Sequence, residues 1–445
     1  MSGPERVQTN PKRFGPSLLR IAVFIFAFIP GFIFGAINYP RAMGLAATVQ
    51  LSFQQLRNKS ASGNWYPARF EHSGVLRYDA ARTEPGYTLY TLAGDLSAHL
   101  VDMNGQELHR WSLSRDEVMP SAAKEARTLF GMFEPQVEAG RLFANGDLLL
   151  VYEQKAVGAS DTLLVKLDKD SRILWKTQVK AHHAVAVVDD KIYALTGENK
   201  PPTRSVPNLV GMPIIDESVS ILAADGVALS THSIVDAMAN AASMRLADTV
   251  PFSDRIDPLH SNSLDVLTGQ TARFIPGAKP GDVLLSLRNL DMLVVLDPET
   301  NSIVWALRGS WRQQHDAKML ANGHILLFDN QGGLMSRGRS RILEVLPTTG
   351  AIVWSFRGTD DDPLDSQIRG GAQRLTGGNT LISESTAGRI LEVTPDGAVV
   401  WEYGNPLVAL ENGHKLIASL GLNVTRYDPA YVSFLDSKQH LQAAR

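Results

Sequence analysis

"RILEVLPTTGAIVWSF" at 341–356 and "RILEVTPDGAVVWEY" at 389–403 are two copies of one unit. Each reads as an apolar strand, a polar turn and a second strand that carries Trp near its end. "MLVVLDPETNSIVWAL" (292–307), "TLLVKLDKDSRILWKT" (162–177) and "SAHLVDMNGQELHRW" (97–111) fit the same template. "SVSILAADGVALSTHS" (218–233) fits with Ser230 in the Trp position, so the markers are Trp111, Trp175, Ser230, Trp305, Trp354 and Trp401. A second hairpin precedes several of them, as in "RLFANGDLLLVY" (141–152), "VVDDKIYAL" (187–195), "KPGDVLLSL" (279–287), "MLANGHILLF" (319–328) and "RLTGGNTLIS" (374–383). Four strands per unit in six units describe an all-β chain, a six-bladed β-propeller, with the repeated Trp as packing between blades. "ENGHKLIASLGLNVTRYDP" (411–429) echoes a first hairpin and is placed to close the ring with the N-terminal strands. Helical periodicity beyond Trp65 is confined to 234–247.

Ahead of this pattern, Ile21 to Ile37 is an uncharged apolar run, extended by Leu18 and Leu19. It reads as a single N-terminal transmembrane helix over 18–40, near the lower limit for a hydrocarbon core about 30 Å thick. Arg6, Lys12, Arg13 and Arg20 precede it, which puts residues 1–17 in the cytoplasm and the propeller, 65–445, outside. No A-x-A site follows the run, which favours an uncleaved anchor over a signal peptide. Residues 41–64 read as a membrane-proximal segment. The expected location is therefore a bacterial inner membrane, spanned once, with the propeller in the periplasm.

Composition narrows the chemistry. With 44% hydrophobic and 20% charged residues and a net charge of −3, the chain is an ordinary globular protein with no basic stretch for nucleic acid. It has no cysteine, so thiol nucleophiles, disulfides and Cys-ligated zinc are excluded.

In a propeller the first strand of each blade lines a central channel, where residues distant in sequence converge. His182-His183 opens the third unit, His260 the fourth in "LHSNSLDV", and His315 the fifth in "QHDAKMLANGHILLFDN" (314–330). Three successive units thus each place a histidine at one position, which points to a common site. Asn262 is two residues past His260, on the same face of an extended strand. Arg288, in "LLSLRNLD", ends the partner strand. Three imidazoles could hold a metal, but a fixed arginine disfavours a cation and suits a tetrahedral oxyanion. Neutral imidazole is also a nucleophile. Transfer of a sulfuryl or phosphoryl group follows, without nucleotide, since no phosphate-binding loop is present.

These motifs, "PLHSNSLDVL", "GDVLLSLRNLDMLVVLDPETNSIVWALRG" and "QHDAKMLANGHILLFDN" above all, resemble the bacterial aryl-sulfate sulfotransferase family. The resemblance runs from about Tyr87 to Tyr427 and is strongest over 258–356. It implies sulfuryl transfer from an aryl sulfate to a phenol through a sulfohistidine, in a ping-pong sequence that needs no cofactor and no metal. His315 matches the family nucleophile. His260 and Asn262 match the "LH-x-NS" pair and Arg288 the arginine ending "LLSxR", all gripping the sulfate oxygens. The family's "HHD" stands here as His182-His183-Ala184. His183 is aligned with His315 as the catalytic member, with His182 beside the substrate. Asp316 reads as structural. The runner-up is a non-catalytic propeller serving as a scaffold subunit of a membrane complex, and a homodimer is equally compatible. A quinoprotein dehydrogenase, which has eight markers and a cysteine pair, and a metal-dependent lactonase-type propeller fit less well.

Overall fold

The computed structural model describes residues 64–118, 136–156, 159–200, 214–241, 246, 257–330, 339–411, 413–422 and 424–435. Residues 1–17, expected to be cytoplasmic, 18–40, expected to span the membrane, and nearly all of 41–64 lie outside the described residues. Among the described residues no helix is long and apolar enough to cross a membrane.

The described chain is mostly strand, arranged in antiparallel sheets. Five are four-stranded, one has five strands and a smaller one has three. In chain order the first strands of the second to sixth sheets are Gln136–Leu142, Ala181–Val188, Ser261–Val266, His315–Met319 and Gly371–Arg374. Each of these sheets is a meander of consecutive strands, as the paired hairpins require. The first sheet is different. Its first strand is Thr425–Tyr427, from the C-terminus, which pairs with Tyr87–Thr91. The C-terminal segment therefore closes onto the N-terminal strands as the sequence suggested. The sixth sheet gains an extra outer strand, Gly74–Tyr78, paired with Val399–Gly404. The three-stranded sheet joins Trp65–Pro67, His414–Ala418 and Val408–Glu411.

The repeated hairpins follow from local chemistry. In both "ANG" turns the asparagine side chain accepts the backbone N–H two residues on, Asp147 to Asn145 at 3.1 Å and His324 to Asn322 at 3.0 Å. The glycine supplies the left-handed residue, Gly146 at φ +88° and Gly323 at φ +89°. A Cβ on Gly323 would stand 2.5 Å from the Phe274 ring, so the turn is also packed. Between the turns, strands such as Ile325–Asp329 and Met292–Asp297 are buried throughout, as expected of strands covered on both faces.

Apolar side chains gather between consecutive sheets. Leu100 and Leu150 meet between the first and second, Val151 and Ala194 between the second and third, and Leu195 and Leu285 between the third and fourth. Val295 and Leu327 link the fourth to the fifth, and Phe328 and Ile382 the fifth to the sixth. Tyr90 and Val101 of the first sheet then pack on Ile390 and Trp401 of the sixth. The repeated indoles follow the same order. Trp111 donates to Gly146 O (3.0 Å), Trp175 to Ala224 O (3.0 Å), Trp354 to Pro395 O (2.8 Å) and Trp401 to Met103 O (2.9 Å). Each bond runs from the fourth strand of a sheet's meander to a turn of the next, and Trp401 returns from the sixth sheet to the first. The Trp repeat thus encodes a hydrogen bond as well as bulk.

Within the helical pattern at 234–247, Ile234–Asn240 is a helix, and 242–245 and 247 lie outside the described residues. Ser233 caps the helix by accepting from Asp236 N at 3.1 Å, and Ala241 ends it.

Candidate active site

The first strands of the third, fourth and fifth sheets do not begin as regular extended chain. His183 (φ +57°), His260 (φ +49°) and Asp316 (φ +50°) are left-handed, and Arg369 (φ +60°) repeats this ahead of the sixth sheet. Register shifts follow between Ala181 and Val185, Ser261 and Ser263, and His315 and Lys318. Non-glycine residues in this region carry strain, and bulges re-aim side chains; both concentrate at working sites. The irregularity also corrects the sequence alignment. His183-Ala184 and Asp316-Ala317 share one backbone shape, so His182, not His183, is the counterpart of His315 within its strand.

His315 is buried, 3% exposed. Its Nδ1 lies 2.8 Å from Asn330 Oδ1 and 3.1 Å from Gln313 O. The Asn330 amide is oriented by its other end, since Nδ2 donates to Ser366 O (2.6 Å) and Arg369 O (2.7 Å). With two acceptors at Nδ1, the ring proton sits there and Nε2 carries the lone pair. Burial, the Arg288 charge and His260 lower the imidazole to about 3, against the opposing bonds of Asn330 and Gln313. The ring is therefore neutral at physiological pH.

Arg288 follows strand Val283–Leu287 in a single 3₁₀ turn, Arg288–Leu290. Its backbone N–H donates to His260 O at 3.2 Å. Its guanidinium donates to Asn289 Oδ1 (2.9 Å) and Gln313 Oε1 (3.1 Å), neutral amides that orient the fork. Asn262 is buried; its Nδ2 donates to Gln314 O at 2.8 Å, while its Oδ1 is enclosed without a hydrogen-bond partner. The bulge after Ser261 breaks the simple alternation that put Asn262 on the His260 face, yet it shares a cavity wall with His315, Asp316, Lys318 and Gly370. Asp316 accepts from Ala372 N (2.9 Å) and pairs with Lys318 (3.3 Å), which ties the fifth sheet to the sixth.

His260 and His183 meet edge to face, with centroids 5.2 Å apart. His183 Nδ1 lies 2.8 Å from His182 Nδ1. His182 is buried, and burial with the His260 charge lowers it to about 4. The third and fourth sheets thus bring His182, His183 and His260 into one row, while the His260 and Arg288 charges reach His315.

Sequence reasoning missed four neighbours. Asp257 accepts from His260 N (3.1 Å) and bonds His260 Nδ1, an Asp-x-x-His spacing that was readable in "DPLH". Burial raises the Asp257 carboxyl, but the His260 bonds and charge outweigh it and hold it low. Asn330 and Gln313 flank His315 through loops, and Glu217 comes from a third strand; no spacing in the sequence announces them.

The family comparison matches the arylsulfotransferase (ASST) model over residues 142–406, more than half of the chain. No curated protein is significantly similar in sequence. Among solved structures, a protein of unknown function from Bacteroides caccae is similar at TM-score 0.45 and 12% identity, covering 72% of this chain and 94% of that one. Virginiamycin B lyase from Staphylococcus aureus is similar at TM-score 0.37 and 9% identity, over 79% and 100% of the two chains. Quinohemoprotein alcohol dehydrogenase from Comamonas testosteroni is similar at TM-score 0.40 and 13% identity, over 75% and 61%. None of these three likenesses bears on the chemistry; the sequence match does. The chain belongs to the arylsulfotransferase family.

Proposed function

We propose that the chain moves a sulfuryl group from an aryl sulfate to a phenol, with His315 as the covalent carrier. The observation that carries this is the His315 ring itself. Its Nδ1 is held by Asn330 and Gln313, and its Nε2 is a neutral nucleophile beside the Arg288 charge. We read the six larger sheets as the blades of one propeller, and the row of histidines as the mouth of its channel. The N-terminal apolar run would tether it to the inner membrane with the propeller in the periplasm.

His315 Nε2 attacks sulfur in line with the departing phenolate, and the S–O bond to the phenol breaks as N–S forms. As in loose phosphoryl transfer, catalysis is positioning and charge stabilisation. Arg288 and Asn262 take the equatorial oxygens. The imidazolium that develops on His315 is stabilised through Nδ1–H by Asn330 Oδ1 and Gln313 O. His260, oriented by Asp257, and His183 serve the leaving and attacking oxygens as acid and base. The acceptor phenol then repeats the displacement in reverse on sulfo-His315.

The test is turnover of p-nitrophenyl sulfate by the purified chain with and without a phenol. The proposal predicts sustained nitrophenolate release only with the acceptor present, and none from His315→Ala. Absence of turnover in the wild-type chain would favour the scaffold role instead.

A further inference from the structure

Behind the row of histidines lies a carboxyl group that the displacement does not use. Glu217, on strand Ile214–Leu222, is buried at 4% exposure. Its Oε2 accepts from Ser261 N and Ser261 Oγ, both at 2.6 Å. Its Oε1 faces His182 Nε2 at 3.8 Å. That nitrogen is itself buried and without a hydrogen-bond partner. Gly197 packs beside this nitrogen, where a Cβ would stand 3.4 Å from Nε2. The titratable groups therefore run His260, His183, His182, Glu217 from the site into the protein.

The tautomers of this row are linked. One proton fits the Nδ1–Nδ1 contact between His182 and His183. If His182 supplies it, its Nε2 is a lone pair, which only a protonated Glu217 can satisfy. If His183 supplies it, His182 presents Nε2–H to a Glu217 carboxylate. The two arrangements differ by one proton, delivered from His183 Nε2. Glu217 faces His182 and Ser261, with Asp257 and the Lys200-paired Asp216 nearby. Burial and those two negative charges raise its carboxyl well above the usual range, in the direction of the protonated arrangement.

We propose that Glu217 is the proton store of the transfer site, connected to it through His182 and His183. This rests on the sulfotransferase reading above. In the first half-reaction the His183 Nε2 proton goes to the departing phenolate. The His182 Nδ1 proton moves to His183 Nδ1, the Glu217 proton moves to His182 Nε2, and Glu217 is left ionised. The negative charge that arrives with the aryl sulfate then resides on Glu217, while the sulfo group and its imidazolium are together neutral. In the second half-reaction the acceptor phenol loses its proton along the same row in reverse.

Two donors separate this role from a structural one. Nitrophenolate leaves without protonation, whereas the phenolate of phenyl sulfate needs an acid. Glu217→Gln in the full chain is expected to lower kcat/KM for phenyl sulfate by about 100-fold, with p-nitrophenyl sulfate changed by less than about 3-fold, since general acid catalysis contributes roughly 10²–10⁴. Equal effects on both donors overturn the store. A wild-type chain that turns over neither ester overturns the sulfotransferase reading instead. Infrared difference spectra of the wild-type chain give a readout that needs no variant. Adding donor without acceptor is expected to bleach a protonated-carboxyl band, and an unchanged carboxyl region overturns the proposal.

Discussion

Asn330→Asp changes one group and nearly no volume, so it tests how the His315 ring is held. In the wild-type chain Asn330 is fully buried and gives both N–H bonds to carbonyls, Ser366 O at 2.6 Å and Arg369 O at 2.7 Å. Aspartate has no such donors. Ser366 O keeps a second partner in Ser340 Oγ at 3.0 Å, so its loss is that of one bond, about 1 kcal/mol. Arg369 O loses a donor in a buried place, about 1–3 kcal/mol, and the sum is roughly 2–4 kcal/mol. Denaturant midpoints of the two chains at pH 7 read this directly. The activity of the folded variant carries the second half of the argument. Aspartate still offers His315 Nδ1 an acceptor, so turnover per folded molecule exceeds that of Asn330→Leu, which offers none. A variant within about 0.5 kcal/mol of wild type would mean the amide faces the other way, and equal activity of the two variants would mean that Nδ1 needs no acceptor.

The low affinity of His315 for protons makes stability pH-dependent. Its folded-state value of about 3 lies below the ordinary 6.5, so the unfolded chain takes up the proton first. Above pH 6.5 there is no effect, and stability falls as pH drops from 6.5 toward 3. Between pH 7 and 5 the loss from this ring is about 2 kcal/mol, read as the difference in acid sensitivity between wild type and His315→Asn. Equal acid sensitivity of the two chains would contradict the burial of the ring. Among the indoles, Trp401 is fully buried, bonded to Met103 O and under the Arg426 guanidinium at 4.7 Å. Trp401→Ala is expected to cost about 3–5 kcal/mol, and the half-exposed Trp175→Ala clearly less; equal losses by thermal unfolding would contradict a packing role graded by burial.

The strands were legible because each hairpin carries its own turn chemistry, and in four units the repeated Trp makes one kind of contact, a bond to the next sheet. The candidate site was legible as histidines recurring at the starts of first strands. Its inner detail was not. A left-handed residue at His183 and Asp316 shifts the side-chain alternation that pairs His183 with His315, and period-two reasoning cannot see it. Asn330 stands in the very stretch that ends the "QHD" hairpin, but its role depends on two carbonyls from the 366–369 loop. Glu217 reaches His182 from another strand of the same sheet, a proximity set by pleat and register rather than by spacing.

The central claim is the covalent one, and trapping tests it most directly. Incubating the full chain with an aryl sulfate and no acceptor, then digesting at alkaline pH, should yield the His315 peptide heavier by SO₃ and acid-labile. Added phenol should discharge it to phenyl sulfate. A sulfo group on another residue, or sulfuryl transfer that persists in His315→Ala, would contradict the account.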